Sequence, residues 1–243
     1  MKVTQADLSY GFAKGLLRSA MMVPSFKITK HPITRAEYDD CVGAGVCTKN
    51  KQEGCSADAY GRLSGHSVDR AKSPVSCVTP TQARTYCEWI GGRLPSMPEW
   101  MLAARGPLPA QYAWGESPPT CQQHPRAAEV LGAFPTQAMA EEAGCAPATE
   151  TPLVVGEYAQ GAAASGMQDV LLTPGELVAT RRDDEQEGCA SDLDACFVYG
   201  REPASIEAAY PLSKTAEGAA RKASLSPHVY GFRCVVERKQ DAH

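Results

Sequence analysis

Three stretches of the chain place apolar residues at helical spacing, and each opens with the same polar pair. In "ITRAEYDDCVGAG" Thr34 is followed three residues later by Glu37. In "TPTQARTYCEWIGG" Thr79 precedes Gln82, with Pro80 between them, and in "PSMPEWMLAARG" Ser96 precedes Glu99. A hydroxyl at the N-cap accepts from the amide three residues on, while the Glu or Gln there reaches back to the cap amide. Proline is pre-organised for the first helical position. Each stretch runs to a glycine (Gly43, Gly91, Gly106), the residue preferred just past a helix end. The pattern predicts three short helices. In the second, Ala83, Tyr86, Cys87 and Ile90 recur at i, i+3, i+4 and i+7 and define one buried face. The third gathers Trp100, Ala103 and Ala104 on one side.

Strand-like alternation is weaker and scattered. "SFKITKHPIT" near the start, "LVVGEYA" from Leu153, "CFVYG" from Cys196 and "YGFRCVVE" near the end predict short strands. The last sets Phe232, Cys234 and Val236 against Arg233 and Val235. Between these lie stretches rich in Ala, Pro, Gly and Ser, at 107–150 and 200–228. Connections of that length are expected to be functional or cross-linked.

Composition narrows the class. Over 243 residues the chain is 43% hydrophobic and 21% charged, the make-up of a globular protein long enough to bury a core. A formal charge of −4 supplies no basic field for nucleic acid or anionic lipid. No apolar stretch reaches the length of a membrane span. "RRDDEQEG" from Arg181 mixes signs and reads as a solvated loop. Ten cysteines, spread from Cys41 to Cys234, lack zinc-ribbon spacing and often sit beside glycine or proline. They predict disulfide-bonded loops and an extracytoplasmic location. Cys121 and Cys145 are expected to be bonded, as are Cys189 and Cys196; for Cys41, Cys47, Cys55 and Cys77 three pairings stay open. The first residues, interrupted by Asp7, Lys14 and Arg18, hold no apolar run of the kind a secretory leader uses.

Taken in order, "HPITRAEYDDCVGAGVC", "SPVSCVTPTQARTYCEWIGGRLPSMPEWMLAARG", "YAWGESPPTC", "GMQDVLLTPGELV" and "YGFRCV" resemble the formylglycine-generating-enzyme, or sulfatase-modifying-factor, family. The resemblance covers nearly the whole chain from Ser25 to Glu237. It implies an N-terminal extension at 1–24, one domain at 25–238 and a short tail at 239–243. The implied fold is α+β, a single compact, loop-rich domain of the C-type-lectin-like type with little regular secondary structure. Trp89, Arg93, Glu99, Trp100, Arg105 and Arg233 are the residues that mark it. The resemblance also implies a disulfide between Cys87 and Cys234. In the chain-entropy picture, closing a loop of about 150 residues stabilises by on the order of 4 to 5 kcal/mol.

The implied chemistry is where the chain departs from its relatives. Members of the family that oxidise a sulfatase cysteine to formylglycine hold copper(I) on a C-x4-C pair after an "R-G-G-S" strand, and two thiolates suit that soft ion. Here no cysteine lies between Cys196 and Cys234. Cys189 and Cys196, spaced C-x6-C, read as a small loop disulfide, with a displaced copper dithiolate as the catalytic alternative. Cys77, in "PVSCVTP" where relatives carry tryptophan, inherits no partner and is a further thiol candidate. The family's calcium motif, G-x-x-D-x-x-G-N-x-W-E-W, becomes "GMQDVLLTPGELV". Gly166, Asp169 and Glu176 keep register, whereas Leu172 and Thr173 replace Gly-Asn, and Gly175 and Leu177 replace the tryptophans. Asp169 and Glu176 are thus the remaining candidate calcium ligands, set against a reading as hydrogen-bonded loop carboxylates.

His31, His66, His124, His228 and His243 show no H-x-H or H-x3-H spacing. They do not predict the mononuclear iron site of the family branch fused to a helical domain. Arg93 and Arg105 are expected to pair internally with Glu88, Glu99 or another carboxylate. Trp89, Trp100 and Trp114 are expected in the core, Trp114 being the one whose ring a glycine loop can expose. Two functions follow. One is a binding or structural module that has lost copper chemistry and meets a protein or glycan through its long loops. The other is a copper-dependent oxidase converting a sulfatase cysteine to formylglycine.

Overall fold

The computed structural model describes residues 1–3, 6–10, 19–50, 70–107, 112–117, 120–123, 154–170, 172, 175–179, 197–199, 221–222 and 230–236. Each capping signal starts a helix: α1 is Arg35–Gly43, α2 is Pro80–Trp89 and α3 is Met97–Arg105, all three with complete capping boxes. At α1, Thr34 Oγ1 accepts from the Glu37 amide at 3.3 Å while the Thr34 amide donates to Glu37 Oε2 at 2.8 Å. Gly43 is the last residue of α1 rather than the one beyond it, and Ala44 is the cap.

The periodic faces are buried, Ile90 at the end of α2 only partly. Ala83, Tyr86 and Cys87 of α2 face inward, as do Trp100, Ala103 and Ala104 of α3. Trp89, expected in the core, is 39% exposed. Two positions beyond Cys87, it points about 200° around the helix from it, which keeps it out of the core that Cys87 enters. Its ring leans on Tyr86 at 5.7 Å, which covers part of it.

The sheets are small. β1 (Lys2–Val3), β4 (Phe26–Ile28), β10 (Val235–Val236) and β5 (Gly92–Arg93) lie side by side in that order, all antiparallel. β2 (Ala6–Tyr10) and β3 (Ser19–Val23) form a separate antiparallel pair. β8 (Arg221–Lys222), β7 (Phe197–Tyr199), β6 (Gly175–Leu177) and β9 (Tyr230–Phe232) make a third sheet, in which β9 runs parallel to β6. Residues before position 25 therefore supply strands, one of them to the same sheet as β4. Gly92 marks the closest backbone approach, since a Cβ there would overlap the Val235 carbonyl.

Two predicted strands come out differently. "YGFRCVVE" is two strands joined by a crossing: Phe232 pairs with Leu177 in one sheet, and Val235 pairs with Ile28 and Arg93 in another. A segment passing between two sheets is enclosed on both sides, so alternation fails and Phe232, Arg233, Cys234 and Val235 are all buried. The stretch after Leu153 turns instead of extending, and ends in a 3-10 turn at Ala159–Gly161. Gly156 sits there at φ 87°, which a strand cannot accommodate.

Two apolar clusters flank the crossing. Phe26, Ile28, Trp100, Met167, Val178 and Val235 belong to one. Tyr38, Tyr86, Cys87, Leu94, Leu177 and Phe232 belong to the other. Phe232 meets Tyr86 edge-on at 5.5 Å and Tyr38 at 6.5 Å, arrangements that contribute about 0.5–1.5 kcal/mol each beyond area burial. Cys87 and Cys234 are bonded within this cluster, their Cα atoms 5.4 Å apart. A second disulfide, Cys41–Cys47, closes the end of α1 and selects among the pairings left open for the early cysteines. No helix among the described residues is long and apolar enough to cross a membrane.

Candidate functional site

The crossing brings a charged residue into the interior. Arg233 has no exposed surface, so its charge and its donors must be met inside the protein. Its Nε donates to both oxygens of Glu176 at 2.9 Å. Nη1 donates to the Lys30 carbonyl at 2.6 Å and Nη2 to the Gln168 carbonyl at 2.5 Å. Glu176, carried on β6, is equally buried, and the Trp100 indole N–H donates to its Oε2 at 2.8 Å. Burial pushes the Glu176 carboxyl up from its ordinary value; Arg233 and the indole pull it back, and nearby Asp169 adds to the rise.

One residue along from each of those carbonyls lies a second pair. His31 Nδ1 is 2.6 Å from Asp169 Oδ2, and the Gly156 amide donates to the same oxygen at 2.9 Å. Asp169 adopts φ 58°, uncommon for a residue with a side chain, and its carboxylate is buried. Its other oxygen, Oδ1, has no hydrogen-bond partner among the described residues. The His31 side chain is 28% exposed. The sequence carried no sign of this histidine, because its partner lies 138 residues away.

Arg93 finds one of its expected partners. Its Nη1 and Nη2 donate to the two oxygens of Glu99 at 2.8 and 2.7 Å, and Glu99 also accepts from the Ser96 amide at the start of α3. Burial alone would raise the Glu99 carboxyl, but the bonds from Arg93 and Ser96 outweigh it and hold it below its ordinary value of 4.5. A carboxylate depressed in the folded state adds stability that is present above its unfolded pKa and lost as pH falls through the folded one. Glu99→Gln should therefore flatten the acid side of the stability curve. Urea midpoints at pH 7 and at about pH 3 should converge relative to the parent, whereas an unchanged acid slope would contradict the assignment.

Cys77 is buried and disulfide-bonded, not a stray thiol; lacking an inherited partner did not leave it without one in this chain. Cys121 is also disulfide-bonded. Cys55, Cys145, Cys189 and Cys196 lie outside the described residues. Among the described residues there is no free cysteine. Arg105, in the last turn of α3, is half-buried. Trp114 is half-buried, stacked on Tyr112 at 5.2 Å with its indole N–H on the Ser117 carbonyl.

The two carboxylates that the resemblance offers to calcium do not make a set for it. Both oxygens of Glu176 face Arg233, and Asp169 Oδ2 already receives two donors. Of these two carboxylates one oxygen remains open, where calcium takes six to eight from its full set of ligands. No group of three His, Cys, Asp or Glu side chains suited to a metal stands together among the described residues.

The sulfatase-modifying factor enzyme 1-like domain matches residues 8–238, and the chain belongs to that family, whose fold is C-type-lectin-like. The hercynine oxygenase of Mycobacterium tuberculosis is 28% identical over 168 residues, covering 61% of this chain and 36% of that protein. The formylglycine-generating enzyme of the same organism is 45% identical over 62 residues, covering 26% of this chain and 20% of its own. The inactive C-alpha-formylglycine-generating enzyme 2 of Bos taurus is 48% identical over 48 residues, 19% of this chain and 16% of that one. The chain thus matches about a third or less of the length of these relatives.

Proposed function

We propose that this chain is a disulfide-stapled member of the family that acts as a binding or structural module, without copper chemistry. The observation that carries the proposal is the condition of its sulfurs. The described cysteines are all in disulfides, and the sequence has no cysteine between Cys196 and Cys234, where the relatives that use copper carry theirs. Copper(I) is held by thiolates, and a disulfide supplies none. Disulfides persist in oxidising compartments, so the module works outside the cytoplasm. Its partner is a protein or a glycan met through the long loops, since a charge of −4 does not draw nucleic acid.

The competing reading is an active oxidase, and the relatives named as formylglycine-generating enzyme and hercynine oxygenase favour it. Its candidate thiolates are Cys189 and Cys196, which lie outside the described residues. Incubation with copper(I), oxygen and a cysteine-containing sulfatase peptide separates the two. The module retains no copper after desalting and leaves the peptide without an aldehyde detectable by hydrazine labelling. Stoichiometric copper, or aldehyde formed on turnover, would overturn the proposal.

A further inference from the structure

We infer that this domain holds its fold without calcium, because the two carboxylates that the family's motif would offer the ion are already held by side chains: Glu176 by the Arg233 guanidinium and Asp169 by the His31 imidazole. The inference does not depend on the copper proposal, and its test reads stability and binding rather than activity.

Four oxygen-bearing groups converge here: the carboxylates of Glu176 and Asp169 and the carbonyls of Lys30 and Gln168. The guanidinium takes three of them. Its Nε holds both oxygens of Glu176, and its two terminal nitrogens hold the Lys30 and Gln168 carbonyls. Those are the main-chain oxygens next to His31 and Asp169 in sequence. The Lys30 carbonyl also accepts from the Gln168 amide at 2.9 Å, which fixes it in this arrangement. An ion that took Glu176 would leave a guanidinium with no exposed surface and no counter-charge, a state more costly than the pair it replaced.

At Asp169 the hold is by hydrogen bonds. The His31 Nδ1–H and the Gly156 amide both donate to Oδ2, and the imidazole can do so whether or not the ring is charged. The imidazole ties the segment after β4 to the 154–170 loop, and the Gly156 amide closes that loop on itself. Oδ1 is the one oxygen left open, and a single donor is suited to a water rather than to calcium.

The experiment is thermal unfolding of the full chain in excess chelator and in millimolar calcium, with calorimetric titration of calcium alongside. A site filled at a hundred times its Kd would raise the Tm of a chain this size by roughly 5 °C or more. The expected difference is under about 1 °C, with no binding heat. A calcium-dependent rise of several degrees would overturn the inference. The role of His31 is read from a cycle of His31→Phe, Asp169→Asn and the double variant. His31→Phe should lower the Tm, and Asp169→Asn should cost less in that background than in the parent, because the two are coupled. An unchanged Tm in His31→Phe, or strictly additive effects, would show that the imidazole does not hold Asp169.

Discussion

Replacing Cys87 and Cys234 together by serine is expected to lower the Tm by roughly 10–20 °C, given about 5 kcal/mol of lost chain-entropy stabilisation. The bond joins positions 147 residues apart, so losing it frees a long loop of the unfolded chain, with the other disulfides still in place. In the folded state it anchors α2 to the crossing between two sheets. Without it, the described end of the chain keeps only non-covalent ties: the short strands β9 and β10 and the bonds of Arg233 to Glu176, Lys30 and Gln168. The double replacement leaves no stray thiol to re-pair, and scanning calorimetry under non-reducing conditions reads the change. A fall of less than about 3 °C would mean that Tyr38, Tyr86 and Phe232 secure this region by packing alone.

Arg233→Met is expected to be nearly as damaging, by about 3–5 kcal/mol, because it leaves Glu176 buried with no counter-charge. The loss has a pH signature. Burial already raises the Glu176 carboxyl, and removing Arg233 removes the largest influence that lowers it. A carboxyl raised in the folded state penalises its ionised form, so stability is lost as pH climbs through the folded-state pKa and regained below it. The variant should therefore lie closer to the parent at about pH 5 than at about pH 8, judged by urea midpoints with unchanged slopes. Adding Glu176→Gln should recover part of the loss by removing the unpaired charge. A double variant as unstable as Arg233→Met, or a pH-independent deficit, would assign the cost to lost packing.

The helices were legible because their signals are local. Each capping hydroxyl and its Glu or Gln lie three residues apart, and each pair forms the two bonds that the spacing predicts. The Cys87–Cys234 bond was reachable only through the family resemblance, since nothing in the spacing of ten cysteines singles out a pair so far apart. Arg233 shows where local reading fails. Alternation assigned it to the face opposite Phe232, but the segment changes sheets at that residue, and the guanidinium is enclosed. The turn after Leu153 was hidden for a related reason. Its apolar run suggests a strand, while Gly156 takes a left-handed conformation that brings its amide to Asp169. The contact between His31 and Asp169 joins two loops distant in sequence, and neither residue carries a motif that points to the other.

The proposed module has no reduced pair of sulfurs, and the direct measurement is a count. The oxidatively folded chain, denatured without reductant and alkylated, is weighed intact and then mapped by peptide. Fewer than two alkylated cysteines are predicted. Two, carried by Cys189 and Cys196, would contradict the account, because a dithiol is what copper(I) requires.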